Sequence, residues 1–257
     1  MWWYTWLAVS DLWIYALLPL AGFIAGVVNT IAGGGSFLVL PCLVWLGMPE
    51  QVANGTNRVA IALQSVYSVR AYHEQRPIDR GAVTRLLGPS LPGLAAGFVL
   101  ATVLSPRAFR SVVGALFLVF VVFMLLQPKL LLQKREQAPQ WPRGVEMTAF
   151  FFIGMYAGFL QAGVGLLLLV ALSALQGREL VDANGVKLAL VAVWIVPSVI
   201  WFALNRQVEW VPGLMVGVGN FFGARVGAKW AVRKGNRLIF AFLVLVMIAT
   251  GLSLLFG

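Results

Sequence analysis

The stretch of sequence that decides the fold reads Asn29-Thr30-Ile31-Ala32-Gly33-Gly34-Gly35-Ser36. It interrupts an apolar run from Leu12 to Leu46, which is too long for one membrane helix because about 20 residues cross the hydrocarbon. Three consecutive glycines lower the helical preference in the middle of this run. Backbone groups freed at that depth cannot face lipid, so they are buried in protein or line a wet cavity. The run therefore predicts a broken helical hairpin over residues 12–47, whose second arm begins at Ser36.

The composition excludes an ordinary soluble domain. Hydrophobic residues make up 60% of the 257 residues and charged residues 11%, whereas soluble domains are about 45–50% apolar. The mean hydropathy is +0.88. The start of the chain, Met1 to Trp6, lacks the positive n-region of a signal peptide, and its aromatic residues are typical of a membrane interface. We therefore predict an all-α, polytopic helical membrane protein.

The net charge of +10 has an explanation that involves no nucleic acid. Most of the cations fall in short loops, where they retain the loops on the cytoplasmic side of a membrane. Cys42 is the single cysteine, so no intrachain disulfide is expected, and together with the lone His73 it does not make a metal cluster. The sequence predicts no cofactor, no metal site and no nucleic-acid partner.

The second half of the chain repeats the first. At a constant offset of 130, Ala32–Gly35 matches Ala162–Gly165 and Ala53–Gly55 matches Ala183–Gly185; upstream the offset is 132 and pairs Asn29 with Gln161. The two glycine-broken runs are 12–47 and 147–176. Three apolar stretches follow the first run, at 56–72, 82–103 and 108–126, and three follow the second, at 184–204, 210–231 and 237–256. The predicted divisions are a first transmembrane repeat over 1–126, a cytoplasmic linker over 127–145 and a second repeat over 146–257.

The loop cations orient the two repeats. If each broken run crosses the membrane once, the 19 Lys and Arg residues divide 9 to 10 between the sides; if each returns to the side that it entered, they divide 15 to 4. The four are Arg58, Arg107, Arg110 and Arg206. Because positive-inside bias favours the uneven division, each repeat has a hairpin and three full spans. An odd number of crossings predicts inverted repeats and places both termini outside the cytoplasm, in a bacterial inner membrane.

Two motifs indicate where a ligand binds. Helix N-termini at the breaks, Gly33–Ser36 and Gly163–Gly165, present N–H donors that suit an anion. The motif Asn54-Gly55-Thr56-Asn57-Arg58, matched by Asn184-Gly185-Val186-Lys187, reads as a helix start with Asn as the N-cap. It places Arg58 and Lys187 in the first turn of a span. Either these cations face a transport path or they snorkel to an interface, and both alternatives remain open.

The positions of the acidic residues favour an anion. All nine of them fall at ends of spans or in loops, whereas cation and proton carriers commonly place carboxylates within the membrane. Gln64, Ser65, Ser198 and Asn220 either line the path as neutral groups or join helices. Spaced glycines such as Gly22/Gly26 and Gly154/Gly158 predict close helix packing. No constellation typical of an enzyme is present, so we expect no enzymatic activity.

The glycine break, Pro41, Gly47 and the start Ala53-Asn54-Gly55-Thr56-Asn57 together resemble the sulfite exporter TauE/SafE family of membrane transporters. The resemblance extends from about Leu17 to Phe256. It implies a carrier of sulfur-containing anions such as sulfite or organosulfonates. The second half departs from the pattern, with Ala171 and Val186 in place of Pro41 and Thr56, so the first half is expected to make more of the substrate contacts.

These observations predict an anion site near mid-membrane, between the two broken hairpins. Its members are the backbone N–H groups of Gly34, Gly35 and Ser36 and the side chains of Asn29, Asn54, Thr56, Asn57, Arg58, Gln161, Asn184 and Lys187. Rocking of one repeat against the other would expose the anion to each side in turn. The expected partners are the lipid bilayer and a small anionic substrate, and a homo-oligomer stays open. The alternatives are a passive anion channel and a membrane scaffold that transports nothing.

Overall fold

The computed structural model describes residues 12–31, 33–126 and 141–230, together with the four residues 248, 252, 254 and 255. The three described ranges form nine α-helices: α1 (Leu12–Ile31), α2 (Ser36–Trp45), α3 (Glu50–Gln75), α4 (Arg80–Val103), α5 (Pro106–Leu126), α6 (Arg143–Phe159), α7 (Val164–Gln176), α8 (Leu180–Leu204) and α9 (Trp210–Trp230). The expected aromatic interface at the start of the chain, most of the linker, nearly all of the last span and both termini lie outside the described residues.

The exterior of the bundle is apolar. Val66, Val103 and Leu204 are 76%, 70% and 78% exposed, which suits contact with lipid rather than with water. Two helical segments, Arg80–Val103 and Val181–Leu204, are long and apolar enough to cross a bilayer. The all-helical prediction is confirmed for the described ranges, and these features favour a polytopic membrane fold.

The first broken run reverses direction at its break. Helix α1 ends at Ile31, and α2 begins at Ser36, the predicted residue. A Cβ atom added to Gly35 would lie 2.1 Å from the carbonyl oxygen of Ala25. Ten residues in one continuous helix are about 15 Å apart along its axis. The chain therefore folds back on itself between α1 and α2.

The second broken run also reverses, but its break lies earlier than predicted. Helix α6 ends at Phe159 and α7 begins at Val164, so the break spans residues 160–163 and shares Gly163 with the predicted Gly163–Gly165. The early position of the break has a local cause. Gln161 and Gly163 have left-handed φ values of 63° and 73°, and this backbone conformation ends α6 before Gly165. Gln176, at the end of α7, donates a 2.6 Å hydrogen bond from Nε2 to Glu146 in the first turn of α6.

Small residues let the first arm of each hairpin pack on a helix of the other half of the chain. Helix α1 contacts α9, where a Cβ on Gly22 would lie 2.1 Å from the Val216 carbonyl oxygen. Helix α6 contacts α4, where a Cβ on Gly154 would lie 2.2 Å from the Ser90 carbonyl oxygen. Such approach distances need glycine. The packing role predicted for the spaced glycines is confirmed.

The helices α3 and α8 begin one turn before the predicted Asn residues. Helix α3 starts at Glu50 after Pro49, and α8 starts at Leu180 after Glu179. The prediction that Asn54 and Asn184 are N-caps is therefore wrong. Pro49, which has no N–H group, and the acidic Glu50 in the first turn already favour a helix start at this position. Arg58 and Lys187 consequently lie about two turns inside their helices rather than in the first turn.

Ion pairs mark one end of the bundle and join its two halves there. Arg76, after α3, lies 2.7 Å from Asp182 in the first turn of α8. Arg178, after α7, lies 2.6 Å from Asp79 at the start of α4. This end therefore collects the ends of α3 and α7 and the starts of α4 and α8.

A second set of contacts marks the opposite end. Glu50 at the start of α3 lies 3.4 Å from Arg110 in α5, and Gln51 donates a 2.9 Å hydrogen bond from Nε2 to the Leu104 carbonyl oxygen. The loop between α2 and α3 is thus at one end of the bundle, and the loop between α7 and α8 is at the other.

Candidate functional site

The two breaks meet inside the bundle. A Cβ on Gly33 would lie 2.4 Å from the Cα atom of Gly165, and a Cβ on Gly165 would lie 2.5 Å from the Cα atom of Gly33. Backbone therefore packs directly on backbone where the two hairpins turn. Any side chain at either position would force the hairpins apart.

A cavity of about 40 Å³ lies beside this contact. One ordered water needs roughly 10–15 Å³ on the same scale, so the cavity has room for a few waters or a small solute. Both breaks, α3 and α8 supply its walls. Its polar lining is Asn29, Ser36, Gln64, Ser65, Ser68, Gln161 and Lys187, and its aliphatic lining is Ile61, Val164, Leu188 and Val191.

The cavity lies at mid-membrane depth if the helices cross a bilayer. From the end of α3 at Gln75, the lining residues Ser68 and Ile61 are about 10 and 21 Å along the helix at 1.5 Å per residue. Lys187 is about 10 Å from the start of α8 on the same measure. The hydrocarbon is about 30 Å thick, so its centre falls within this range.

The lining of the cavity offers hydrogen-bond donors and one positive charge. Lys187 is the charged side chain among the described lining residues, and its Nζ donates a 3.3 Å hydrogen bond to the Asn29 carbonyl oxygen. An ammonium group has three donors, so two remain for a ligand. Within the described part of the chain, Gln161 Nε2 and Ser65 Oγ have no protein partner, and no carboxylate lines the cavity. This chemistry suits an anion.

Arg58 is buried behind the cavity and is not part of its lining. Its side chain is 0% exposed, and its guanidinium carbon lies 4.3 Å from the ring centroid of Phe202. Nη1 donates to the Ala157 carbonyl oxygen at 3.1 Å, and Nη2 donates to the Gly158 carbonyl oxygen at 2.8 Å. Nη1 also donates to Gln161 Oε1 at 2.8 Å. The last carbonyls of a helix have no partner within it, so Arg58 caps the C-terminus of α6.

An asparagine assists the cation at each broken helix. Asn54 donates a 2.8 Å hydrogen bond from Nδ2 to the Phe159 carbonyl oxygen, the last of α6. At the end of α1, Asn184 donates a 3.4 Å hydrogen bond to the Thr30 carbonyl oxygen, next to the Asn29 carbonyl that Lys187 contacts. Each broken helix is therefore capped by an asparagine and a cation from the other half of the chain.

Other predicted site residues hold the first break together. Asn29 Oδ1 accepts a 2.7 Å hydrogen bond from the Gly35 N–H, which is one of the donors predicted to hold the anion. Asn57 donates from Nδ2 to Ser36 Oγ at 3.0 Å. Thr56 instead joins α3 to the start of α9, because its Oγ1 accepts a hydrogen bond from the Glu209 N–H at 2.9 Å.

The structure brings only part of the predicted set to the cavity. Asn29, Ser36, Gln161 and Lys187 line it, whereas the following predicted residues do not: Gly34, Gly35, Asn54, Thr56, Asn57, Arg58 and Asn184. The predicted anion site does not include Gln64, Ser65 and Ser68, which also line the cavity; of these, Gln64 and Ser65 were expected either to line the path or to join helices. Their signal in the sequence is a polar stripe at i, i+1 and i+4 on one face of α3.

A comparison with known protein families identifies the family to which the chain belongs. The family model described as sulfite exporter TauE/SafE matches residues 18–254. The chain belongs to this family. The TauE/SafE match extends over both broken runs and the helices that follow them, and no solved structure is significantly similar to the chain.

Relatives of this TauE/SafE protein carry the names of membrane transporters. The chain is 27% identical over 242 residues to a probable membrane transporter protein, ORF9, of Sinorhizobium sp, covering 94% of the chain and 92% of the relative. It is 29% identical over 228 residues to a probable membrane transporter protein of Haemophilus influenzae, covering 88% of each. It is 25% identical over 243 residues to the probable membrane transporter protein YfcA of Escherichia coli K12, covering 95% and 90%. Family, relatives and apolar helices together indicate a membrane transporter.

Proposed function

We propose that the protein is an inner-membrane carrier of a small anion, a sulfur oxyanion such as sulfite or an organosulfonate, with both termini outside the cytoplasm. The observation that carries the anion assignment is the cavity at the meeting of the two breaks. Lys187 faces it with unused donors, and no carboxylate of the described residues lines it. The sulfur chemistry rests on the description of the family.

The energetics of a desolvated cavity favour this reading. A hydrogen bond to a charged group contributes about 1.5–3 kcal/mol, and its strength grows where water is excluded. An anion that accepts from Lys187 Nζ and Gln161 Nε2 would satisfy buried donors that have few other partners. A cation in the same place would meet an ammonium group and no compensating carboxylate.

Matched contacts support inverted repeats and an alternating-access mechanism. Gly33 and Gly163, 130 residues apart, both have left-handed φ values, 78° and 73°. The two hairpins open toward opposite ends of the bundle. The first opens toward the end that holds Glu50, because α2 leads into α3 there. The second opens toward the end that holds Asp79 and Asp182, because α7 ends there at Gln176. A pair of inverted repeats around a central site is a common carrier architecture.

The experiment is anion uptake by the purified protein in liposomes. We expect uptake of radiolabelled sulfite, or of a short alkanesulfonate, that saturates with concentration and is accelerated by unlabelled anion inside the vesicle. A parallel thermal-unfolding screen with sulfite, sulfate, thiosulfate, sulfonates and carboxylates should identify the ligands that stabilise the fold. Flux that never saturates and shows no acceleration would support a passive channel. No flux and no stabilisation with any of these anions would overturn the proposal.

A topology experiment tests the orientation separately. A reporter fused after Gly257 that is active only outside the cytoplasm should be active, and one that is active only inside should be silent. The opposite result would overturn the positive-inside assignment while leaving the anion site untouched.

A further inference from the structure

Gln161 has a backbone conformation that requires support. Its φ of 63° lies in the left-handed region, which costs a residue other than glycine roughly 1–3 kcal/mol and persists only where the surroundings hold it. Its neighbour Gly163 shows that glycine is used where this break needs only conformational freedom. Gln161 is 4% exposed and lines the cavity between the two breaks.

The two ends of the Gln161 amide face different surroundings. Oε1 accepts a 2.8 Å hydrogen bond from Arg58 Nη1, while Nε2 has no protein partner within the described residues. Gln64, the other glutamine of the cavity, differs because its Nε2 donates to Thr30 Oγ1 and its Oε1 accepts from Asn29 Nδ2, both at 3.2 Å. Gln161 therefore keeps an amino group free at the cavity.

Arg58 fixes which end of this amide faces the cavity. A guanidinium group only donates hydrogen bonds, so the amide must turn its oxygen to Arg58 and its amino group away. The guanidinium itself cannot rotate freely, because it also donates to the Ala157 and Gly158 carbonyl oxygens and lies over the Phe202 ring.

We propose that Arg58 is a positioning residue, which does not touch the anion but orients Gln161 so that its Nε2 donates to the bound anion. This inference rests on the proposed anion carrier and deepens it. Without the guanidinium the carboxamide can rotate by half a turn and present an acceptor oxygen, which repels an anion. The selectivity of the cavity for anions thus depends on a side chain outside its lining.

The first test is Gln161→Glu, which keeps the shape of the side chain and its contact with Arg58. The carboxylate pairs with the guanidinium, so the variant should fold and unfold thermally at least as late as the wild type. Its second oxygen faces the cavity, so we expect the KM for sulfite or ethanesulfonate to rise by about 10- to 100-fold, with a smaller change in kcat. A wild-type KM in this variant would overturn the proposal.

The second test is a double-mutant cycle in liposomes with Arg58→Lys, Gln161→Met and the double variant. Lysine keeps the charge but lacks the fork that reaches both the carbonyls and Gln161. If Arg58 acts through Gln161, the double variant should have no higher KM than Gln161→Met alone. Increases in KM that multiply would mean that Arg58 contacts the anion itself and would overturn the proposal.

Gln51→Ala is the matched control for a purely structural effect. Gln51 also caps the end of a helix, through the Ala101 and Leu104 carbonyl oxygens, but it lies in the first turn of α3, whereas the lining residue Ser68 lies near the end of that helix. It should lower the unfolding temperature and leave the KM unchanged. If Arg58→Lys behaves like this control, with a lower unfolding temperature and an unchanged KM, Arg58 is only a cap. Failure of the wild type to transport any anion would instead refute the proposed function.

Discussion

Arg58 and Lys187 occupy comparable places in the two halves, and each caps the broken helix of the other half. They differ in how completely their donors are used. Arg58 donates to two helix-end carbonyls and to Gln161 and stacks over Phe202. Lys187 makes one 3.3 Å hydrogen bond, to the Asn29 carbonyl oxygen, and faces the cavity.

The difference separates two roles that the sequence presents as one. A cation that donates to several helix-end carbonyls stabilises the fold, because those carbonyls have no other partner in an apolar interior. A cation with donors to spare can bind a ligand without unfolding its surroundings. On this comparison we propose that the second half supplies the charge that contacts the anion, whereas the sequence predicted the first half as the main source of contacts.

The largest expected effect concerns stability. Arg58→Met leaves the carbonyls of Ala157 and Gly158 without their side-chain donor, and at about 1–3 kcal/mol for each buried unsatisfied group we expect a loss of about 3 kcal/mol or more. Lys187→Met should cost less than about 1 kcal/mol, because the Asn29 carbonyl still accepts from the Gly33 N–H at 2.9 Å. Unfolding of the two variants in detergent micelles measures the difference. Equal losses would break the comparison.

Anion transport should respond more to the loss of Lys187 than to the loss of Arg58. Lys187→Met removes the charged donor from the cavity, so we expect the affinity for the anion to fall by about 10- to 100-fold, as for the loss of one charge-assisted hydrogen bond. Lys187→Arg keeps the charge and is the conservative control, which should retain part of the affinity. The measurement is concentration-dependent uptake in liposomes. Unchanged affinity in Lys187→Met would mean that this lysine serves only as a cap.

The asparagines should show a smaller version of the same asymmetry. Asn54→Ala removes a 2.8 Å hydrogen bond to Phe159, and we expect a loss of about 1 kcal/mol. Asn184→Ala removes a bond of 3.4 Å, to Thr30, and should cost less than half as much. Thermal unfolding of both variants, side by side, measures the ratio. A larger loss from Asn184→Ala would contradict the tighter capping of α6.

Local sequence signals predicted the breaks but not the contacts across them. Three glycines at 33–35 and an apolar run too long for one span fix α1 and α2, and Ser36 begins α2 as expected. The partners of Arg58 lie 99 to 103 residues away, so no local pattern identifies them. Whether a buried cation caps a helix or binds a ligand depends on that distant geometry.

The Asn-Gly motif shows why a correct-looking local rule failed. Asparagine before glycine is typical of a helix N-cap, but Pro49 and Glu179 already precede the helices. The glycine has another purpose: a Cβ on Gly55 would lie 1.9 Å from the Gln207 carbonyl oxygen. Close packing of α3 on the loop between α8 and α9 therefore requires Gly55, and Asn54 donates across to the end of α6.

Arg178 is the cation expected to contribute least, because its side chain is 20% exposed, whereas Arg58 is fully buried. It pairs with Asp79, whose side chain is 48% exposed, and exposed ion pairs contribute little. The hydrogen bond from the Ala82 N–H, and then that from Arg178, lower the pKa of Asp79 below its ordinary value of 3.8. Since the folded pKa lies below the unfolded one, the carboxylate adds stability above about pH 4 and loses it as the pH falls through the folded value.

Asp79→Asn isolates this charge, because asparagine also caps a helix start. We expect the variant to unfold slightly earlier than the wild type at about pH 6, and the gap to close as the pH falls below about 4. Arg178→Gln should give a gap with the same pH dependence, whereas the deficit of Arg58→Met should persist at acidic pH since carbonyls do not titrate. Thermal unfolding between about pH 6 and pH 3 measures all three. An Asp79→Asn gap that stays constant to pH 3 would show that the charge of Asp79 is not the cause.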